Sequence, residues 1–315
     1  MTTAAATKLA SVAPPSPCEV IAHFTSGFSL EATRPSAEEV AALVAIAPRG
    51  TRVYVSAVPT RPVQDTLDAA IALRRAGLEP VPHLAARNFA STQALDEFLA
   101  CASGDAGVTR VLVIAGDRDH PAGPFRSALD VIDGGALRRH GIAEIGIAGY
   151  PDGHPRIAQQ DIDRALTHKM NAAEATGLSV HIVTQFCFDA PTIVKWVKRL
   201  RDFGVEQEVR VGLAGPTSLA TLLRYAKRCG VRASAQGLAR QAGLLRQLFA
   251  LSTPDALVRE LAQARGALGA IKPHFFSFGG LATTARWAAA AAEGRITLEA
   301  GEGFRVEPPK QGRGA

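Results

Sequence analysis

"RVLVIAGDRDHPAG", residues 110–123, sets how the rest of the chain is read. Val111 to Ala115 form an unbroken apolar run that ends on Gly116 and Asp117, with Arg118 and Asp119 close behind. A strand with one wet face alternates apolar and polar residues, whereas a strand covered on both faces reads as a continuous apolar run. Residues 110–116 are therefore a strand buried on both sides, with an acid at its C-terminal end. Taken alone, Gly116-Asp117 is equally well a turn in which Asp117 caps the next segment.

The pattern repeats on either side. Further strands are expected at "GFSLEAT" (27–33), "RVYVSAV" (52–58), "EPVPHLA" (79–85), "EIGIAGY" (144–150), "SVHIVTQF" (179–186), "VRVGLAG" (209–215) and "HFFSFGG" (274–280). Helical patterns separate them. "SAEEVAALVAIA" (36–47) opens on Ser36 with Glu39 three residues on, and "TLDAAIALRRAG" (66–77) closes on Gly77. "APTIVKWVKRLRDFG" (190–204) places Trp196, Leu200 and Phe203 on one face. Strand–helix units of about 30–35 residues, repeated along the chain, predict an α/β fold of the (β/α)8 TIM-barrel type. A doubly wound open sheet is the rival, but it wants a glycine-rich fingerprint after the first strand, and "EATRPS" is not one. The stretch 231–272 holds two helical patterns, "LARQAGLLRQLFAL" and "PDALVRELAQARGALGA", read as an extra helix ahead of the last strand. The expected organisation is a disordered arm over 1–17, a single catalytic domain over 18–305 and a flexible tail over 306–315.

Composition narrows the function. Of 315 residues, 47% are hydrophobic and 20% charged, as in ordinary globular enzymes. The formal net charge is +6, with Lys and Arg scattered and no basic cluster interleaved with aromatics. This excludes a nucleic-acid partner and reads as mild attraction for anionic small molecules. No apolar run spans a bilayer, so no membrane partner is expected. Cys18, Cys101, Cys187 and Cys229 lie far apart, which suits a reducing cytoplasm and argues against a disulfide framework. No His-x-His or carboxylate cluster falls at a strand end, so no metal site and no metal-dependent hydrolase are expected.

In a barrel of this kind, active-site residues gather at the C-terminal ends of the strands. Those ends carry Glu31, Ser56, His83, Asp117, Tyr150 with His154, and Gln185 with Asp189. Each has a bland reading. Glu31 could be a surface acid beside Arg34, His83 a hydrogen-bonded core histidine, and "YPDGHP" a rigid turn. Gln185 is harder to dismiss, because its amide can make up to four hydrogen bonds and a strand end facing a ligand supplies them. At successive strand ends these residues together favour a site.

"SLEATRP" (29–35), "PHLAARN" (82–88), "IAGD" (114–117), "AGYPDGHP" (148–155) and "VTQFCFD" (183–189), in this order, resemble the methylenetetrahydrofolate reductase family. Its members carry Phe-Glu-Phe-Phe-Pro-Pro, Pro-His-Leu-Thr-Cys, Leu-Arg-Gly-Asp, Ala-Tyr-Pro-Glu-x-His-Pro and Ile-Thr-Gln-x-Phe-Phe-Asp. The resemblance runs over roughly 27–280 and implies a flavin-containing barrel. The implied reaction interconverts 5,10-methylenetetrahydrofolate and 5-methyltetrahydrofolate, with FAD as cofactor and NADH or NADPH as electron partner. It also implies roles. Glu31 would be the general acid, protonated at neutral pH through burial beside Asp117. Asp117 would be a fixed negative charge facing a cationic iminium, and Gln185 would contact pterin and nicotinamide. Ser56, His83, Gly116, Asp117, Tyr150, His154 and Lys169 match flavin-contacting positions, and Tyr225 matches a substrate contact.

The departures from the family pattern are specific. Ala115 stands where the family has Arg, with Arg118 two residues after the glycine. Ala32 and Thr33 replace two Phe, and Leu222 and Tyr225 stand where Gln and Phe are usual. The segment between Lys169 and Gln185 is about five residues longer than the family's. Two alternatives stay open: the same chemistry run as methyltetrahydrofolate oxidation in one-carbon catabolism, and a folate- or flavin-binding barrel without turnover. A homo-oligomer also stays open.

Overall fold

The computed structural model describes residues 14–59, 61–231, 251–301 and 303–308. The first described element is a helix, α1 (Pro17–Thr25). Ser16 caps it in a reciprocal capping box with Glu19, and Pro17 occupies the first turn, where no amide donor is needed. The last residues of the expected arm therefore start a helix, and residues 1–13 lie outside the described residues.

The chain then alternates as expected through β1 (Ser29–Ala32), α2 (Ala37–Val44), β2 (Arg52–Val55), α3 (Gln64–Arg75), β3 (Glu79–Ala85) and α4 (Thr92–Ala106). Next come β4 (Arg110–Ile114), α5 (Ala128–Asp133), α6 (Ala136–Arg139), β5 (Glu144–Gly149), α7 (Gln159–Ala175), β6 (Ser179–Thr184), α8 (Ala190–Asp202) and β7 (Val209–Ala214). A short strand β8 (Thr217–Ser218) leads into α9 (Leu219–Cys229) and pairs with β9 (Leu251–Ser252). The chain ends in α10 (Asp255–Ala264), β10 (Ile271–Phe276), α11 (Leu281–Ala292) and the hairpin β11 (Ile296–Leu298) with β12 (Phe304–Val306). Strands β1 to β7 and β10 close into one barrel, with β10 parallel to both β7 and β1. The (β/α)8 expectation holds.

Three local expectations change. The last barrel strand sits earlier than 274–280, since Ile271, Lys272 and Pro273 already pair within the ladder, opposite Val209, Arg210 and Val211. Phe203 does not share the buried face of Trp196 and Leu200. It caps α8 as the chain turns away and is 77% exposed. Of the two helical patterns over 231–272, the second is α10, and the first falls almost wholly outside the described residues. No helix among the described residues is long and apolar enough to cross a membrane.

The barrel interior buries polar groups beside an apolar cluster of Val81, Leu112 and Val183 around Tyr54. Near its middle, the buried Tyr54 hydroxyl lies 2.7 Å from His181 Nε2, and His181 Nδ1 lies 2.7 Å from Glu144. Burial pushes the Tyr54 phenol up to about 12 and pushes the His181 imidazole down. A protonated phenol therefore donates to Nε2, and Nδ1 of neutral His181 sits against the Glu144 carboxylate. At the N-terminal end, Arg110 bridges Glu144 and Glu79, Arg52 lies 3.6 Å from both Glu144 and Glu208, and Arg210 lies 2.9 Å from Glu208. This ring of alternating charge closes the bottom of the barrel and leaves the top for ligands.

Gly212 on β7 holds the strand end that carries Gln185. Its amide donates to Thr184 Oγ1 at 2.8 Å, and its carbonyl accepts from the Cys187 amide at 3.2 Å. A Cβ at this position would lie 2.4 Å from the Thr184 carbonyl oxygen, which is backbone and cannot swing aside. Gly212→Ala is expected to destabilise the fold by about 2 kcal/mol through overpacking. Chemical denaturation measures this, and an unchanged midpoint would show that β6 and β7 separate freely.

Candidate active site

The C-terminal mouth of the barrel opens into a cavity of about 1120 Å³. Glu31, Ser56, His83, Gly116, Asp117, Tyr150, His154, Gln185 and Tyr225 all line it. They come from the ends of β1 to β6 and from α9, so residues scattered over nearly two hundred positions meet in one place. Three further residues do not belong to this wall. Lys169 sits on α7, outside the lining, where burial lowers its ammonium to about 8. Leu222 is buried in the aromatic cluster behind the cavity. Asp189 is structural, since it caps α8 by accepting from the Thr192 amide at 3.0 Å and the Thr192 hydroxyl at 2.6 Å.

The acid at the end of the 110–116 strand has a geometric explanation. After β4 the chain turns through Gly116 at φ 88°, in the left-handed region that favours glycine. A Cβ there would sit 3.0 Å from the Ala85 Cβ of neighbouring β3. Glycine lets the turn press against β3 and deliver Asp117, exposed, to the rim of the cavity. The negative charge of Asp117 adds to burial in raising the phenol of nearby Tyr150. The Tyr150 ring meets His154 edge to face at 5.3 Å.

Glu31 is the centre of a second cluster. It accepts from the Ser56 hydroxyl at 2.7 Å, and it lies 3.3 Å from His274 Nε2 and 3.7 Å from His83 Nε2. His274 Nδ1 is in turn 2.9 Å from the Ser29 hydroxyl. With Ser29 donating to Nδ1, neutral His274 can donate Nε2–H to Glu31. Burial alone would raise the Glu31 carboxyl, but His83, His274 and Ser56 together hold it below its ordinary value. The Coulombic pull of His83 acts only while that ring is charged, and burial pushes the protons off both imidazoles. The hydrogen bonds from Ser56 and His274 need no imidazolium and act in the same downward direction. The expectation that Glu31 is protonated because it lies buried beside Asp117 is thus corrected: its neighbours are two histidines and a serine, and its carboxyl is lowered.

His274 and Ser29 escaped the sequence reading, although a signal existed. Pro82-His83 and Pro273-His274 are the same dipeptide on two barrel strands, and each delivers a ring to Glu31. The aromatic wall was also missed. Phe278 stacks on Tyr225 at 4.1 Å with 16° between the planes, and Phe276 and Phe186 continue the cluster. The Arg224 guanidinium carbon lies 5.4 Å from the Tyr225 centroid.

The methylenetetrahydrofolate reductase family model matches residues 32–261, which is most of the barrel and of the cavity wall. This chain belongs to the methylenetetrahydrofolate reductase family. It is 29% identical over 161 residues to 5,10-methylenetetrahydrofolate reductase of Pectobacterium carotovorum subsp. carotovorum, covering 50% of this chain and 51% of that protein. It is 31% identical over 159 residues to methylenetetrahydrofolate reductase 1 of Schizosaccharomyces pombe, covering 48% of this chain and 25% of that one. The matched stretch therefore spans about half of the bacterial relative and a quarter of the yeast one. Among solved structures, dihydropteroate synthase (FolP) from Thermus thermophilus superposes with a TM-score of 0.43 at 14% identity, over 84% of this chain and 92% of that one. That last likeness bears on neither site nor activity. Within the family frame Ala115 is the sharpest departure, and Arg118 is already engaged. It donates to Asn88 Oδ1 at 3.2 Å and to the Pro59 carbonyl at 3.2 Å.

Proposed function

We propose that the protein is a flavin-dependent oxidoreductase that interconverts 5,10-methylenetetrahydrofolate and 5-methyltetrahydrofolate with NAD(P)H. The observation that carries this reading is the meeting of Glu31, Asp117 and Gln185 in one cavity at the mouth of a family barrel. FAD fits the cavity's polar inventory. His83 Nε2 and Ser277 Oγ are buried beside it without a hydrogen-bond partner among the described residues, and a heteroaromatic ligand would satisfy such atoms. When bound, the flavin supplies the two-electron step, accepting hydride from the nicotinamide and returning it to the folate carbon.

The chain's own residues do the rest. His83, Gly116, Tyr150 and His154 would hold the flavin along the ends of β3 to β5. Asp117 offers a fixed carboxylate to a cationic folate carbon. The Gln185 side-chain oxygen accepts from the Phe186 amide at 3.0 Å, which leaves its NH2 group to donate to a ligand. Glu31 delivers the proton that opens the one-carbon bridge. As a carboxylate in the ligand-free site it must first take that proton up. A planar ligand that covers Glu31 removes its water and strengthens burial, the influence that already pushes its carboxyl upward. Folate binding is therefore coupled to proton uptake. The four free cysteines fit a reducing compartment such as the cytoplasm.

The test is the visible absorption of the purified protein, followed by turnover with each folate. A colourless protein that cannot be loaded with FAD would sink the reading. Ala115→Arg is expected to tighten FAD about ten-fold, because it restores a charge-assisted contact that Arg118 is too committed to make. Titration of deflavinated protein measures this, and an unchanged affinity shows that the lost arginine does not matter here.

A further inference from the structure

Two neighbouring strands are followed by the same tripeptide, Thr33-Arg34-Pro35 after β1 and Thr60-Arg61-Pro62 after β2. Arg34 and Arg61 both line the cavity. Arg34 is also the one non-glycine residue with positive φ among the described residues, at 52°. The position is doubly strained, since it precedes a proline, which pushes the preceding residue toward extended backbone. Such strain persists only where the surroundings over-determine it, and it collects at ligand sites. Both flanks are pinned here. On one side β1 is locked between β2 and β10. On the other, Ser36 and Glu39 form the capping box of α2, with bonds of 2.9 and 3.1 Å. Arg34 absorbs the reversal between them, three residues from Glu31.

The two side chains are loosely held. Arg34 Nε lies 3.3 Å from Asp65 Oδ2 of α3, in a half-exposed pair. The Arg61 side chain has no hydrogen bond or ion pair among the described residues. Elsewhere on the rim, Arg87 donates to the Arg126 and Arg118 carbonyls, and Arg156 pairs with Asp119.

We infer that Arg34 and Arg61 form a two-arginine clamp for an oxyanion of the exchanging substrate, with Asp65 holding Arg34 until the ligand replaces it. Paired guanidinium forks match carboxylates and phosphates. Two sources carry that chemistry: the glutamyl carboxylates of a folate and the phosphates of a nicotinamide dinucleotide. The clamp follows β1 and β2, where Ser56 is the one position matched to the flavin; His83, Gly116, Asp117, Tyr150 and His154 lie at the ends of β3 to β5. It thus rests on the function proposed above and refines it.

The experiment is equilibrium titration, without turnover, of the FAD-loaded protein with 5-methyltetrahydrofolate as mono- and triglutamate, with NADH and with NADPH. Arg34→Asn suits the left-handed backbone, and Arg61→Gln alters a side chain without partners among the described residues, so both should fold; melting temperature checks this, and Arg34→Lys serves if Arg34→Asn does not. Each variant should weaken either the folates or the dinucleotides about ten-fold at low salt, with FAD affinity unchanged, and the class that moves names the source. Asp65→Asn should tighten the same class. Wild-type binding that survives intact in both variants, or a parallel loss of FAD, overturns the clamp alone. Wild-type protein that binds neither folate nor dinucleotide overturns the proposed function, and the clamp with it.

Discussion

Glu31→Gln is expected to slow the folate half-reaction by about 10²-fold or more, while reduction of the flavin by nicotinamide proceeds near the wild-type rate. The amide keeps the size of the side chain and can still meet Ser56 and His274, but it can neither take up nor deliver a proton. The lowered carboxyl adds a second expectation. Glu31 is ionised in the free site, so folate binding to wild-type protein should draw a proton from the buffer, and binding to Glu31→Gln should not. Stopped-flow measurement of the two half-reactions, and calorimetry in buffers of different ionisation enthalpy, read the two effects. If flavin reduction falls as far as flavin oxidation, Glu31 is structural and the acid lies elsewhere.

Loss of the Glu144 charge is expected to weaken the whole barrel. Burial works to raise this carboxyl, but the His181 hydrogen bond and the Arg110 contact outweigh it and bring it from 4.5 down to about 2. A carboxyl held that low contributes on the order of 3 kcal/mol at neutral pH. A lowered carboxylate stabilises the fold above its unfolded value and loses that contribution as pH falls toward the folded one. Buried neutral His181 acts in the same direction, because the unfolded chain protonates it first. Stability should therefore fall as the pH drops from about 6.5 toward 2. Glu144→Gln should be less stable at pH 7 by several kcal/mol, since it leaves Arg52, Arg110 and His181 short of a partner, and its acid limb should be flatter. Thermal melts across pH test both, and a variant whose acid limb matches wild type would remove Glu144 from the account.

The barrel was legible because strands covered on both faces leave continuous apolar runs, and "RVLVIAG" is such a run. The wall of the cavity was legible for the same reason: a polar residue at the end of an apolar strand stands out. What lay inside the barrel did not. Tyr54 and His181 alternate with apolar neighbours and carry no signal until the strands are curved around them, and their partner Glu144 lies on a third strand. The expected charge state of Glu31 differs because the family resemblance sets Asp117 beside it at the barrel mouth, and the strand order sets other residues there. In a closed barrel β1 lies against β10, so Glu31 meets His274, 243 residues away, as well as His83 and Ser56.

That seam also orders events during synthesis. Strand β1 is the first barrel strand to leave the ribosome, and its second partner β10 emerges about 245 residues later, the separation of Ser29 from His274. At roughly 5–20 residues per second, the nascent chain waits on the order of 10–50 s with β1 paired on one side only. A strand of four residues presents a short open edge over that interval, which limits mispairing with other chains. The Glu31 cluster is assembled on the same schedule: Glu31 meets Ser56 early and His274 last, when the barrel closes.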